Sequence, residues 1–337
     1  MKYYLFIIFS VFLCSCIQQQ ENIEIYGETM GTTYSVKIVG LNKGESAKEI
    51  LKTQINSILQ EVNRQMSTYI PESEISVFNK STADNSQSVS EHFLEVLNLA
   101  KQISVESDGA FDVTVGPVVD LWGFGKKEDR ENPPSDEEVN IVKSYVGMDK
   151  IEISGNTILK KHDKTALDFS AIAKGFGVDV VAGLLEEKGY KNFLVEIGGE
   201  VVVKGKKGND PWRIGVDQPL IEPTVNRNFE AILQISDVAV ATSGDYRNYF
   251  VSGDSLYTHT IDPVTARPIV NGVASVTVIA PNCTLADAMA TAIMVMGEEK
   301  GLQWVESKPG IETMIIVRKS DGFKVISSSG FEAFVDK

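Results

Sequence analysis

The chain predicts an α+β fold. Segments with helical periodicity crowd its first half, strand-like segments dominate from residue 192 onward, and no regular strand–helix–strand alternation runs through it. At 337 residues it can bury a sizeable core as one large domain or two joined subdomains. Apolar residues make up 43% and charged residues 23%, ordinary values for a globular protein. The formal charge of −14 argues against a general nucleic-acid binder, because phosphate backbones need a basic surface.

The first element is Met1–Cys16, where Lys2 supplies a positive start and Leu5–Leu13 is almost wholly apolar. That run falls short of the about 20 residues a membrane-spanning helix needs. It reads as the hydrophobic region of a signal peptide. Leu13-Cys14-Ser15-Cys16 resembles a bacterial lipobox, with Cys16 as the lipid-bearing first residue of the mature chain; an ordinary secretory signal is the other reading. The expected organisation is a signal over residues 1–15, lipidated Cys16 with a polar tether over 16–22, and a folded body over 23–337. A body held to a membrane only by lipid and facing the periplasm is the corresponding expectation. With Cys14 removed and Cys16 acylated, Cys283 is left as the one ordinary thiol, so no internal disulfide is expected. His92, His162 and His259 are too scattered to suggest zinc.

Thr33–Val39 alternates like a half-buried strand. From Ser46, Leu51, Ile55, Ile58, Leu59, Val62 and Met66 recur at helical spacing, and from Ser90, Phe93, Val96, Leu97, Ala100 and Ile103 do the same. A third helix is expected over 136–146, and a hairpin pairs 150–154 with 157–161 across Gly155-Asn156. A helix over about 171–188 stops at Gly189. Strands come next at 192–197, 200–205, 212–216, 230–235, 256–261 and 274–279; a helix at about 284–296 and three short elements close the chain. Neither a Gly-x-Gly-x-x-Gly turn nor a Walker-type loop is present, so any nucleotide is held by another device.

Three segments carry polar chemistry. In Thr284–Thr291, Asp287 and Thr291 lie one helical turn apart, a carboxylate and a hydroxyl suited to a hard cation such as Mg²⁺. The same pair is equally compatible with an acidic first turn at a helix N-terminus. In Leu167–Gly175 an apolar strand enters a small-residue turn and then a helix, where Lys174 can neutralise a phosphate and Asp168 can accept from a base or ribose. A helix cap beside a solvated lysine is the plainer alternative. His259, at a strand end before Asp262-Pro263, can take a proton near neutral pH or simply brace the turn. Met and aromatic residues in the stretches beginning at Gly27, Met66 and Gly109 suit packing against planar rings, or a core.

In order along the chain, GETMGTTYSV, MSTY, DGAFDVTVGPVVDLWGFG, LDFSAIAKGFGVD, EIGGE, ATSGDYRNYF, HTIDPVTARP and DAMATA resemble the ApbE family, the FAD:protein FMN transferases. The resemblance runs from Gly27 to Thr291. It implies one α+β unit of two intertwined subdomains with mixed or antiparallel sheets, flanking helices and an FAD cleft between them. It also implies FAD contacts at Met30, Tyr69, Ala110, Phe111, Asp112, Asp168, Lys174 and Ile261. Mg²⁺ would be held by Asp287, Thr291 and the carbonyl of Ala171, with His259 as the base. FAD is then substrate, and the acceptors are Ser or Thr residues in flavoprotein subunits of membrane redox complexes of the Nqr and Rnf kind. An Mg²⁺-dependent FAD pyrophosphatase and a non-catalytic flavin-binding lipoprotein are the competing readings. One position departs from the pattern: where the family commonly has glycine after Asp-Pro-x-Thr, this chain has Ala266. If the turn there needs positive φ, alanine costs about 1 kcal/mol.

Overall fold

A tight hairpin opens the structure. β1 (Ile23–Thr29) and β2 (Thr32–Ile38) pair antiparallel from Ile23↔Ile38 to Thr29↔Thr32, across Met30-Gly31. Both loop residues have positive φ, 50° and 71°, as a two-residue hairpin turn of matching twist requires. The computed structural model describes residues 22–40, 44–125, 132–219, 228–245, 249–252 and 255–336. The expected signal, the lipid-bearing Cys16 and nearly all of the tether therefore lie outside the described residues.

The helices come next: α1 (Gly44–Met66), α2 (Glu74–Lys80), then the short strand β3 (Gln87–Ser88), α3 (Glu91–Glu106), α4 (Gly116–Leu121) and α5 (Asp136–Lys143). Helix α1 buries Leu51, Ile55, Leu59, Val62 and Met66, the face its spacing predicts. Ser90 caps α3 by accepting the Phe93 N–H, and Phe93, Val96, Leu97, Ala100 and Ile103 are buried. Ser135 and Glu138 close a reciprocal capping box on α5. That helix ends at Lys143 rather than 146, where the Ser144 hydroxyl donates to the Ile141 carbonyl instead of extending the ladder. The expected hairpin is β4 (Ile151–Ser154) with β5 (Thr157–Lys160).

After α6 (Ala173–Glu187) come β6 (Phe193–Ile197), β7 (Glu200–Lys204), β8 (Trp212–Asp217), β9 (Phe229–Ile235), β10 (Val238–Gly244), β11 (Tyr249–Ser252), β12 (Ser255–Thr258), β13 (Ile261–Asp262), β14 (Arg267–Pro268) and β15 (Val273–Ala280). Helices α7 (Cys283–Met296) and α8 (Glu298–Glu306) precede β16 (Glu312–Lys319) and β17 (Gly322–Ser327). An eight-stranded sheet, ordered β1-β2-β6-β7-β10-β15-β16-β17 with every pairing antiparallel, forms the centre. Its strand β15 is buried at every position, so it reads as a continuous apolar run rather than an alternation.

Helices α1, α6 and α7 cover one face. The β8–β9 ribbon covers part of the other through Trp212, Val216, Leu233 and Ile235. Mixed α and β elements around an antiparallel sheet match the predicted class. The expected strand over 256–261 is instead two pieces, broken at His259-Thr260. The cause is local: Asp262 accepts from the Val264 N–H and the Thr265 hydroxyl, folding β13 back onto β14. Strand β10 and helices α2 and α4 have no counterpart among the expected elements.

Helices α6 and α7 approach each other closely through a glycine. A Cβ on Gly175 would collide with the Cys283 carbonyl oxygen and lie 2.8 Å from the Asp287 Cβ, so only glycine allows this approach. Asp179 of α6 accepts from the Cys283 N–H at 2.9 Å and from the Thr284 N–H at 2.8 Å, satisfying free donors at the start of α7. The two helices thereby hold Lys174 and Asp287 on neighbouring turns, which sets up the charged centre of the molecule.

Candidate functional site

One cavity of roughly 2010 Å³ gathers residues from nearly every part of this architecture. The segment 165–171 enters it from a fixed base. The buried Lys160 ammonium donates to the carbonyls of Asn79, Asp163 and Thr165, and Asn79 exchanges two hydrogen bonds with the Leu167 backbone. Asp168 therefore emerges at a set point, its Oδ1 accepting from the Ser170 N–H and hydroxyl at 2.8 and 2.5 Å.

Asp112 lines the cavity beside Ala110 and Phe111. Its Oδ1 accepts from the Thr114 N–H and hydroxyl at 2.7 and 2.6 Å, and its Oδ2 from the Met148 N–H at 3.1 Å. Burial nonetheless pushes its carboxyl above the ordinary value, those hydrogen bonds opposing the shift only in part.

The charged centre lies where α6, α7 and β7 meet. Lys174 Nζ is 2.5 Å from Glu200 Oε1 and 3.9 Å from Asp287 Oδ1. Asp287 Oδ2 accepts the Gly175 N–H at 3.0 Å. Burial raises Glu200 to about 7; the Asp287 charge adds to this, and Lys174 pulls the other way. Burial pulls the Lys174 ammonium down, but Asp287 and Glu200 outweigh it and hold it above its usual range. Among the described residues Glu200 Oε2 is buried with no hydrogen-bond partner.

Thr291, one turn beyond Asp287, stands 3.2 Å from the Ser243 hydroxyl, and Ala171 lines the same wall. Among the described residues no group of three or more His, Cys, Asp or Glu could hold a metal. The oxygen donors lining the cavity near Asp287 are its carboxylate, the Thr291 and Ser243 hydroxyls and the backbone at Ala171. Such an all-oxygen set fits Mg²⁺, which takes one or two protein carboxylates and completes its shell with water and phosphate oxygens. It does not fit a metal that wants nitrogen or sulfur.

His259 comes after β12 in the break before β13, with the Phe124 ring edge-on at 6.5 Å between centroids. It lines the cavity together with Thr260 and Ile261. Tyr69, 72% exposed, also lines the cavity and brings a large ring to it. Of the residues singled out from sequence, His259, Tyr69, Ala110, Phe111, Asp112, Asp168, Ala171, Lys174, Ile261, Asp287 and Thr291 share this one cavity. Met30 is not among its lining residues; it packs half-buried between two parts of the core, its Cε close to Gly177. Glu200, Thr242 and Ser243 also line the cavity but had no role assigned from sequence. A carboxylate heading the otherwise apolar run Val201–Val203 was the visible signal for Glu200. Ala266 does adopt the left-handed conformation, with φ 57°.

Comparison with known proteins identifies the family of this chain. The profile of the ApbE family matches residues 30–315. The chain is 44% identical over 326 residues to a Vibrio cholerae protein named FAD:protein FMN transferase, covering 96% of each. A Haemophilus influenzae protein of the same name is 40% identical over 330 residues, with 96% of this chain and 94% of that one covered. The solved structure of the flavin transferase ApbE from Vibrio cholerae superposes with a TM-score of 0.84 at 43% identity, over 94% of this chain and 99% of that one.

Proposed function

The chain belongs to the ApbE family, and from that premise we propose that it transfers FMN from FAD to a Ser or Thr hydroxyl of a partner protein. The observation that supports this reading best is the shared cavity, which Lys174, Asp287, Thr291 and His259 all line. Phosphoryl transfer asks a protein chiefly for positioning and for charge neutralisation around phosphorus. Here the acceptor oxygen forms a bond to the phosphorus on the FMN half of FAD. The bond from that phosphorus to the bridging oxygen breaks, AMP leaves with the oxygen, and His259 takes the hydroxyl proton.

Tyr69, Ala110, Phe111, Asp112, Asp168 and Ile261 would hold the dinucleotide, with Met30 bracing their side of the core. Lys174 would offset charge on the diphosphate. Asp287, Thr291 and the Ala171 carbonyl would hold Mg²⁺, whose contribution is further neutralisation of that charge. The acceptors we propose are flavoprotein subunits of membrane redox complexes of the Nqr and Rnf kind. They would be reached from the periplasmic side by an enzyme tethered through lipid on Cys16.

The test combines the full chain, FAD, Mg²⁺ and a candidate acceptor domain. Intact mass should show the acceptor heavier by one FMN, with one AMP released per modified acceptor on chromatography. Free FMN and AMP with an unmodified acceptor would instead identify FAD hydrolysis.

A further inference from the structure

The cavity is larger than a dinucleotide requires. Small-ligand sites occupy about 300–1,000 Å³, and this one measures roughly 2010 Å³. Of the proposed FAD contacts, Ala110, Phe111, Asp112 and Asp168 come from the segments around α4 and 165–171. On the other side the cavity continues as a trough between the sheet face at β2 and β6 and the β8–β9 ribbon, lined by Lys37, Glu196, Arg213, Ile214, Gly215 and Phe229.

This trough has its own chemistry. Its outer wall is apolar: the Phe229 ring packs on Gly215, where any Cβ would collide with it. At its middle, Glu196 is held by the Gly199 N–H at 2.8 Å and the Ser35 hydroxyl at 3.2 Å, leaving lone pairs free to accept from an extended backbone. Of the cations lining the cavity, Lys174 pairs with Glu200, Arg213 with Asp336, and Lys164 donates to the Tyr145 hydroxyl. Lys37 alone has no side-chain partner among the described residues. In a chain of net charge −14, an unpaired ammonium facing a cavity marks a place for an anionic group.

The inner end of the trough adjoins the charged centre, since a Cβ on Gly198 would lie 3.4 Å from the Lys174 side chain and 2.9 Å from Thr32. From Thr33 to Lys37 along β2 is about 13 Å at about 3.3 Å per residue. We infer that the acceptor protein lays an extended segment along this trough, its hydroxyl at the Gly198 end and an acidic side chain about four residues away against Lys37. The inference rests on the transferase reading for the identity of the hydroxyl, but the binding it describes needs no FAD.

The experiment uses fluorescein-labelled nine-residue peptides of glycine and alanine carrying one threonine. An aspartate stands four residues before or four residues after it, and twin peptides have lysine in place of aspartate. Binding to the full chain is read by fluorescence anisotropy at low salt. One aspartate peptide should bind about tenfold tighter than its lysine twin, Lys37→Gln should erase the preference, and Lys37→Glu should reverse it. Circular dichroism checks that both variants are folded. An undiminished preference in both folded variants, or no binding of any peptide to the wild type, overturns the inference. Charge-dependent peptide binding alongside an acceptor domain that gains no FMN when FAD and Mg²⁺ are supplied would sink the transferase reading and leave the trough standing.

Discussion

The Asp287 carboxylate accepts the backbone N–H of Gly175 at 3.0 Å, so the metal-ligand candidate on α7 is positioned by the first turn of α6. That bond exists because Gly175 has no Cβ to strike the Cys283 carbonyl. Gly175→Ala should destabilise the fold by about 1–3 kcal/mol through overpacking against backbone, read as a lower midpoint in urea. On the same helix, Gly183 has nothing within 4 Å of its would-be Cβ. Gly183→Ala should instead stabilise by about 0.5–1 kcal/mol, because alanine is the better helix former and no neighbour objects. Equal losses for the two would show that glycine content of α6, not its contact with α7, governs stability.

His259 and Asp287 line one cavity from different elements, and their replacements should fail differently. His259→Ala should slow FMN transfer by about 10²–10⁴ while FAD affinity changes little, the loss expected for a general base. Asp287→Asn keeps an oxygen for the Gly175 N–H but removes the charge, so melting should shift little while transfer and its response to Mg²⁺ disappear together. Transfer rates by intact mass and FAD affinity by flavin fluorescence separate the cases. A wild-type rate in His259→Ala ends its assignment as the base.

Many of these elements are legible in the sequence, for physical reasons that differ from one to the next. Helices α1 and α3 announce themselves because each buries a stripe of spacing three and four, and Ser90 supplies the cap of α3. The 150–161 hairpin is marked by its own turn residues. Strand β10 was not legible: its run Val238–Gly244 fades from valines into Ala, Thr, Ser and Gly, a composition shared with loops. Those small residues are what leave room for Thr242 and Ser243 at the cavity wall. The Lys174–Glu200 pair spans 26 positions and is created only when β7 packs under α6, so no local pattern could indicate it. Lys37 reads from sequence as any polar residue of an alternating strand; only the β8–β9 ribbon opposite makes it face a trough.

Asp179 ties the two site helices together from below, and its charge state should leave a trace in stability. Burial raises its carboxyl above 3.8, against hydrogen bonds from Thr284 and Cys283 that lower it. The folded state therefore binds the proton more tightly than the unfolded chain. This contribution to stability is absent at high pH, grows as pH falls through the folded value, and is complete below the unfolded one. Asp179→Asn cannot take up that proton. The unfolding free energy of wild type minus that of the variant should then increase on acidification from neutral pH toward the ordinary carboxylate range, measured by urea titration at each pH. A difference that shrinks on acidification would mean that the ionised form is the one the fold prefers.

Ala266 sits fully buried at φ 57° between Trp122, Val118 and Ile261, its carbonyl accepting the Trp122 indole N–H at 3.0 Å. A glycine there would relieve about 1–2 kcal/mol of left-handed backbone cost. Against this, removing a buried methyl forfeits about 0.8 kcal/mol, and the freer unfolded glycine chain takes back about 0.4–1 kcal/mol. These terms nearly cancel, so Ala266→Gly should lie within about 1 kcal/mol of wild type in thermal or urea unfolding. Ala266→Val adds bulk to a closed site and β-branching to a positive-φ residue, and should cost about 3 kcal/mol or more. Because the turn at Asp262–Ala266 sets where His259 and Ile261 stand, the valine variant should also lose FMN transfer below its melting point. A glycine variant stabilised by more than about 1 kcal/mol would show that the Ala266 methyl contributes nothing to the packing around Trp122.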